Sequence, residues 1–184
     1  MELLNKDKRD GYTYDVVIKQ FDTTFWKQTT GTTTVSSNKL RNNAAAISSY
    51  LQHIYGDFEF ALNVATKPQA SASKVWGLRL PSSDSTGAAY FEISDTTARV
   101  RTIDDGGNIE NTNFAWSNGV YDAVEVKWRI IWEPGRVQFM IDGAIIATHS
   151  TRIPSNALPL RIANADSDNL DAGYVAVRRA ASVI

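Results

Sequence analysis

The sequence predicts an all-β sandwich, and three observations support that fold class. First, apolar residues alternate with polar ones over residues 124–132 and again over residues 137–141, which is the period-two pattern of strands buried on one face. Second, the turn pairs Pro134-Gly135 and Asp142-Gly143 bound the second run, because proline presets φ and glycine accepts a positive φ. Third, short strand-like runs recur along the chain without a convincing amphipathic helix.

Thirteen strand-like runs follow one another at short intervals, separated by turn clusters such as 81–87, 104–107 and 165–169. Regular spacing of this kind is typical of sandwiches. In chain order the runs are Tyr14–Lys19, Thr33–Ser36, Ala45–Tyr50, Asp57–Val64, Lys74–Leu80, Ala88–Ser94, Ala98–Ile103, Asn108–Ala115, Ala123–Trp132, Arg136–Ile141, Ala144–His149, Leu158–Ala163 and Gly173–Val177.

Two segments admit another interpretation. Residues 42–49 are rich in alanine and could be helical, but Ile47 to Tyr50 lead directly into Tyr55-Gly56 without a capping signal, so we predict a strand. The threonine-rich segment 23–34 resembles low complexity. We predict an ordered strand and loop there, because threonine favours strands and Phe25 and Trp26 supply apolar surface to bury.

Length and composition predict one domain. The 184 residues are 43% hydrophobic, which is enough for one full core, and no linker divides residues 1–184. Within that domain, residues 1–13 are predicted as an N-terminal arm. A polar terminal segment would normally fray, so we expect a partner to hold it.

Charge and targeting signals exclude several function classes. The net charge is -1 and the pI is near 6.1, so no nucleic-acid partner is expected, and no segment is apolar enough for membrane insertion. The chain has no cysteine, which removes disulfides and thiolate chemistry. No signal peptide is seen, so we expect the protein in a virion or in the cytoplasm of the producing cell.

Three segments together resemble the concanavalin A-like lectin/glucanase superfamily, most closely its laminarinase-type glycoside hydrolases. Residues 55–61 resemble the "Tyr-Gly-x-Phe-Glu" strand, residues 132–143 the "Trp-x-Pro-x-x-Ile-x-Phe-x-Val-Asp-Gly" meander, and residues 172–177 the closing "Asp-Tyr-Val-Arg-Val" strand. The matches occur in family order over roughly residues 45–178. The resemblance implies a jelly roll of two curved antiparallel sheets, one of which has a concave outer face.

The catalytic signature of that superfamily, Glu-x-Asp-x-Glu with an optional extra residue, is degenerate here. In residues 90–97, Glu92 can fill the first position, but Ser94 replaces the central Asp and Thr96 or Thr97 replaces the final Glu. Retaining hydrolysis needs two carboxyl groups on one face of the site. The resemblance therefore predicts no catalytic residues and no enzymatic activity.

Two acidic pairs keep a hydrolase open as a remote alternative. Asp57 and Glu59 share a strand face with Cα atoms about 6.5–7 Å apart, whereas retaining glycosidases place their carboxyl groups about 5–5.5 Å apart. The second possible pair is Glu59 with Glu92, which could serve a glycoside hydrolase in the same way. An exposed acidic pair is more often solvated surface.

Candidate carbohydrate contacts come from the residues expected on the concave face. Alternation places Phe58, Phe60, Phe91 and Trp76 in the core, and the superfamily's topology would bring their polar neighbours together. The opposing interpretation is a cross-strand ladder of charges worth only tenths of a kcal/mol per pair. The candidates are Glu59, Arg79, Tyr90, Glu92 and Arg129.

Two loop segments add weaker candidates. Trp116 follows Phe114 beside a turn and is a candidate carbohydrate contact, although a tryptophan that caps the core would have the same sequence context. Asp166, Asp168 and Asp171 offer oxygen ligands of the kind Ca²⁺ prefers, but a plain polar turn is the preferred interpretation. We therefore predict no metal and no cofactor.

Two functions compete at this point. The preferred one is a non-catalytic, lectin-like structural, decorating or adhesion subunit of a larger assembly, most plausibly a virus or phage particle. Its partners would be the other protein subunits and, in addition, surface glycans. The alternative is a stand-alone carbohydrate-binding module or lectin.

Overall fold

The computed structural model describes residues 8–9, 12–13, 16–18, 25–36, 39–64, 68–69, 71–81, 86–116, 125–167 and 170–178. This described part of the chain is entirely strands, turns and loops, so it includes no helix that could cross a membrane. The all-β prediction is confirmed.

Fifteen strands occur in the described residues. They are β1 (Lys8–Arg9), β2 (Tyr12–Thr13), β3 (Val16–Ile18), β4 (Trp26–Ser36), β5 (Lys39–His53), β6 (Gly56–Val64), β7 (Ser73–Arg79), β8 (Ala88–Ser94), β9 (Ala98–Ile103), β10 (Ile109–Asn113), β11 (Val126–Glu133), β12 (Arg136–Ile141), β13 (Ala144–His149), β14 (Leu158–Asn164) and β15 (Leu170–Arg178). Strands β1 and β2 pair with each other, and the rest of the predicted arm, residues 1–7 and 10–11, lies outside the described residues.

The other thirteen strands form one antiparallel hydrogen-bonded path that folds over itself into a sandwich. The order is β10-β9-β8-β7-β14-β5-β15-β6-β11-β12-β13, with β4 added to β5 and β3 added to β15. The path changes layer at β5, whose C-terminal half pairs with β14 while residues 40–42 pair with β15. Strand β15 in turn pairs with β3, β5 and β6.

The predicted meander is confirmed at residues 126–149. Strands β11, β12 and β13 are joined by the turns at Pro134-Gly135 and Asp142-Gly143. Asp142 and Gly143 have φ values of 47° and 85°, as a two-residue hairpin of the primed type requires. Local turn chemistry therefore determines this part of the topology.

Aromatic side chains join the two layers across the core. Trp76 of β7 contacts Trp128 of β11 with ring centroids 4.7 Å apart, and Phe91 of β8 contacts Phe139 of β12 at 5.3 Å. All four are 0% exposed. These contacts show that β7 and β8 pack directly over β11 and β12.

A buried histidine connects the two ends of the strand path. His149 of β13 is 1% exposed; its Nδ1 lies 2.9 Å from Thr102 Oγ1 of β9, and its Nε2 lies 3.0 Å from Thr112 Oγ1 of β10. Burial lowers the pKa of His149, against the opposing effect of Glu110. The neutral imidazole therefore satisfies both hydroxyl groups inside the sandwich.

The alanine-rich segment 42–49 lies within β5, so the prediction of a strand is confirmed there. The segment 23–34 contributes most of β4 from Trp26 onward, and Trp26 is buried in the core. Strand β5 extends beyond the predicted run because its partners β14 and β15 come from the distant end of the chain, and β4 extends with it because it pairs along β5.

Candidate functional site

The core separates two outer faces, which we name by their central strands. The β8 face is the outer surface of β7, β8, β9 and β14, and the β6 face is the outer surface of β6, β11 and β15. Because side chains alternate along a strand, Phe91 enters the core while Tyr90 and Glu92 lie on the β8 face. Likewise Phe58 is in the core and Glu59 lies on the β6 face.

A row of seven residues crosses the β8 face perpendicular to the strands. Each residue lies directly opposite the next across a backbone ladder, and six steps of about 4.8 Å span roughly 29 Å. From the β10 edge the row is Asn111, Arg101, Tyr90, Gly77, Arg161, Ser48 and Lys27. We call it the basic row, because its charged side chains are two guanidinium groups and one ammonium group.

Tyr90 lies beneath two arginine side chains. The Arg79 and Arg101 guanidinium carbons are 5.0 Å and 5.8 Å from the centroid of its ring, and Arg101 Nη1 donates a hydrogen bond to Tyr90 Oη at 3.1 Å. As a result Tyr90 is only 2% exposed. The ring is therefore covered and does not form an open platform on which a sugar could stack.

Glu92 lies one row further along the strand, about 6.5–7 Å from Tyr90. Arg99 donates two hydrogen bonds to its carboxylate, Nε to Oε2 at 2.8 Å and Nη2 to Oε1 at 2.9 Å, and Arg101 Nη2 is 4.0 Å from Oε2. The hydrogen bonds to Glu92 raise the pKa of Arg99 despite partial burial. The carboxylate is therefore fixed in orientation, with 14% of its side chain exposed.

Arg161 of β14 is the least compensated cation of the row. Its Nη1 is 3.5 Å from Ser48 Oγ, at the limit of a hydrogen bond, and its Nε is buried without a hydrogen-bond partner among the described residues. Burial lowers the pKa of Arg161, and the positive charge of Arg79 lowers it further. The face thus contains a half-buried guanidinium group next to another one.

On the β6 face the predicted residues have partners of their own. Tyr174 Oη donates to Glu59 Oε1 at 2.6 Å, and Arg129 binds Asp57 with both Nε, at 2.7 Å, and Nη2. The expectation that Glu59 and Arg129 lie beside Arg79, Tyr90 and Glu92 is therefore wrong. Alternation correctly gave the side of each strand, but β6 and β11 belong to the opposite layer.

This separation also excludes a hydrolytic pair formed by Glu59 and Glu92. Packed sheets lie about 10 Å apart, so carboxylates on their two outer faces cannot flank one glycosidic bond. The pair Asp57 and Glu59 does share the β6 face, but Glu59 is only 6% exposed and its Oε1 accepts a hydrogen bond from Tyr174, so it is shielded from a substrate. Neither acidic pair forms a glycosidase site.

The described loop candidates Trp116, Asp166 and Asp171 also contact other parts of the protein. Trp116 is half-buried and packs against the main core, which matches the core-capping interpretation, and a carbohydrate contact there stays a prediction. The Asp166 carboxylate accepts backbone N–H groups from Gln69 and Ser167 at 3.2 Å and 2.7 Å, and Asp171 pairs with Arg41 at 2.9 Å. Asp168 lies outside the described residues. Within those residues, no cluster of three metal-ligating side chains occurs.

Sequence reasoning missed three residues of the β8 face, namely Arg99, Arg101 and Arg161. The alternation of apolar and polar residues that placed the other candidates also covers these three arginines. Arg99 and Arg101 alternate with Ala98, Val100 and Thr102, and Arg161 lies between Leu160 and Ile162. Arginine at outward positions of otherwise apolar strands predicts a charged outer face.

No protein-family model and no curated protein matches this chain. Solved structures do match it. A Crh5 transglycosylase in complex with NAG has a TM-score of 0.70 at 16% identity over 90% of this chain and 84% of its own. The catalytic domain of an endo-1,3-β-glucanase (laminarinase) from Thermotoga petrophila RKU-1 has 0.69 at 13% identity over 93% and 99%. A Bacillus licheniformis β-glucanase has 0.66 at 13% identity over 90% and 98%.

These comparisons contradict the expectation that the chain is not an enzyme, because the similar structures are those of glucanases and transglycosylases. The degenerate signature at residues 90–97 was the main ground for that expectation. At these identities the likeness establishes the architecture, which agrees with the strand order and the two-layered core. The chain has the concanavalin A-like jelly-roll fold of the laminarinase and glucanase structures, as its sequence resemblance predicts.

Proposed function

We propose that this chain is a carbohydrate-active enzyme that cleaves or transfers glycosidic bonds of a polysaccharide lying across the β8 face. One observation carries the proposal: Glu92, a carboxylate oriented by two hydrogen bonds from Arg99, lies beside a polar row that crosses the sheet. The similar folds of a laminarinase and a transglycosylase support it.

The chemistry assigns Glu92 a definite role. Glycosidic cleavage passes through an oxocarbenium-like transition state, which a carboxylate stabilises or attacks on one side while a second carboxyl group donates a proton to the leaving oxygen. Arg99 holds both Glu92 oxygens in place, which suits the nucleophilic or charge-stabilising role. Water as acceptor would give hydrolysis, and a sugar hydroxyl would give transfer.

For the proton donor we propose Asp95, the next acidic residue along the chain. It lies in the turn that ends β8, where Ser94 N donates to Thr97 O at 2.8 Å and Thr97 N donates to Ser94 Oγ at 3.1 Å. A turn closed by two hydrogen bonds holds its central residues in one backbone conformation, as a catalytic acid requires.

The experiment compares the wild type with Glu92→Gln, Asp95→Asn and, as control on the opposite face, Glu59→Gln. Each protein is incubated with a panel of neutral and anionic polysaccharides, and new reducing ends and product sizes are measured. We expect Glu92→Gln and Asp95→Asn to lower kcat by about 100-fold or more, with an unchanged Tm. Glu59→Gln should keep its activity, since Glu59 lies beyond the core.

Loss of turnover in Glu59→Gln with turnover retained in Glu92→Gln would place the chemistry on the wrong face and refute the proposal. Saturable glycan binding that depends on Glu92, with no product from any polymer, would leave the binding site but remove the enzymatic role. Membership of a larger assembly, a virus or phage particle included, and location in a virion or in the cytoplasm stay predictions from the sequence.

A further inference from the structure

We infer that the polysaccharide bound by the β8 face is anionic, and that its carboxylate or sulfate groups bind along the basic row. The inference deepens the proposed function and rests on it, because the same face is the polymer site. It names the class of polymer, which the position of Glu92 does not.

The charges of the described β8 face are unbalanced. Four arginines, namely Arg79, Arg99, Arg101 and Arg161, lie on this face against two acidic residues, Glu92 and, in the turn that ends β8, Asp95; the Glu92 carboxylate is committed to Arg99. Arg101 reaches Glu92 only at 4.0 Å, and the closer hydrogen-bond partners of Arg101 and Arg161 are neutral. Arg101 Nε donates to Asn111 Oδ1 at 2.7 Å, and Arg161 Nη1 approaches Ser48 Oγ at 3.5 Å.

Arg161 is the strongest sign of a missing anion. A guanidinium group loses hydration when it is buried, and that loss is offset only by an anion or by hydrogen-bond acceptors. Arg161 has one weak acceptor, a buried Nε without a partner among the described residues, and Arg79 as a like-charged neighbour. This arrangement of Arg161 does not stabilise the folded state. It suits the binding of an anion, because the planar fork of a guanidinium group matches a carboxylate or a comparable oxyanion.

The positions of the cations suit an extended polymer. Arg101 and Arg161 are three strand steps apart, about 14 Å, and Arg161 and Lys27 are two steps apart, about 10 Å. Gly77, Ser48 and Asn111 fill the intervening and flanking positions with small or hydrogen-bonding groups. A chain lying across the strands would therefore meet a cation at intervals, with groups for hydroxyl contacts between them.

The same face is poorly suited to nucleic acid. Proteins that bind single strands stack bases on exposed aromatic rings, and the ring in this row, Tyr90, is only 2% exposed. The net charge of the whole chain is -1, so the chain as a whole does not attract a polyanion, and attraction requires a local group of cations such as the one on this face.

The test measures binding by isothermal titration calorimetry to polygalacturonate, dextran sulfate, neutral dextran, laminarin and poly(dT). The variants are Arg161→Gln and Lys27→Gln, and the matched control is Lys127→Gln, an exposed lysine on β11 of the β6 face. We expect an anionic polysaccharide to bind at least about tenfold more tightly than the neutral ones, and binding to weaken about tenfold or more between roughly 50 and 500 mM salt.

Arg161→Gln should weaken that binding about tenfold or more without lowering the Tm, because it removes a cation from beside Arg79. Lys27→Gln should weaken it several-fold, and Lys127→Gln should leave it unchanged. Preference between polygalacturonate and dextran sulfate identifies the anionic group as carboxylate or sulfate.

Equal binding of neutral and anionic polysaccharides, equal effects of Lys27→Gln and Lys127→Gln, or binding of poly(dT) as tight as that of any polysaccharide would overturn the inference. If neutral polymers are cleaved in a Glu92-dependent manner while the arginine and lysine variants behave as wild type, only this inference fails. If no polymer is bound or cleaved, the proposed function fails as well.

Discussion

Substitution of Gly77 by alanine tests whether β7 and β8 pack as closely as the structure shows beneath the basic row. Gly77 has a φ of 147°, which side-chain-bearing residues rarely adopt, and an added Cβ would lie 2.5 Å from Ala89 O and 2.7 Å from Tyr90 Cα. Those atoms belong to the backbone of the neighbouring strand. They can give way only if the strands move apart.

The expected cost follows from these distances. Relieving the contact from 2.5 Å to an ordinary 3.4 Å requires a shift of about 0.9 Å, which forces apart two strands whose inner faces hold Trp76 and Phe91 in a close-packed core. Overpacking typically costs about 1–3 kcal/mol, and an unfavourable backbone conformation adds about 1–3 kcal/mol. We therefore expect Gly77→Ala to lower the free energy of unfolding by about 2–6 kcal/mol.

The assay is equilibrium unfolding in urea, followed by tryptophan fluorescence, with Gly135→Ala as the matched control. Gly135 also has a positive φ, 74°, but no atom lies within 4 Å of a Cβ added there. That variant should lose only the backbone term, about 1–2 kcal/mol. If Gly77→Ala costs no more than Gly135→Ala, the close approach of β7 to β8 is wrong, and so is the register that places Arg161 and Tyr90 in one row.

Three further predictions concern the interior. Trp128→Ala should cost about 3–5 kcal/mol in the same unfolding assay, because its ring is 0% exposed and contacts both Trp76 and Phe91; a loss below 1 kcal/mol would contradict the packing. Thr102→Val should cost about 1–3 kcal/mol, since it leaves Nδ1 of the buried His149 unsatisfied. Burial lowers the pKa of His149 below its ordinary value of 6.5, so the neutral side chain stabilises the folded state fully above that pH. As the pH falls below 6.5, the unfolded chain takes up the proton first and this stabilisation declines. An unfolding free energy whose pH profile is unchanged in His149→Gln would refute this.

The fold was predictable where the information is local. Alternation and turn chemistry gave the bounds of β12 and β13 to the residue and the end of β11 to within one residue, because Pro134-Gly135 and Asp142-Gly143 determine where these strands must end; the start of β11 was predicted three residues early. The length of β5 was not predictable in this way. Its first residues pair with β15, more than a hundred residues later in the chain, and polar residues such as Arg41 give no apolar alternation there.

The candidate site shows the same limit. Period two correctly placed Tyr90 and Glu92 on one side of β8 and Glu59 on the side of β6 away from the core. It could not tell which layer β6 would join, because layer membership depends on pairing between distant strands. The arginines of the β8 face can be recognised as one row only when four strands are aligned in register, from Arg101 through Tyr90 and Gly77 to Arg161.

The pairing of β15 with β3, β5 and β6 has a consequence for biosynthesis. Three earlier strands reach the ribosome exit before the partner that covers their edges has been made, and closure of such long loops is slow. We expect the nascent chain to complete its sheet only after translation has passed residue 178, and to rely until then on chaperones that shield open strand edges.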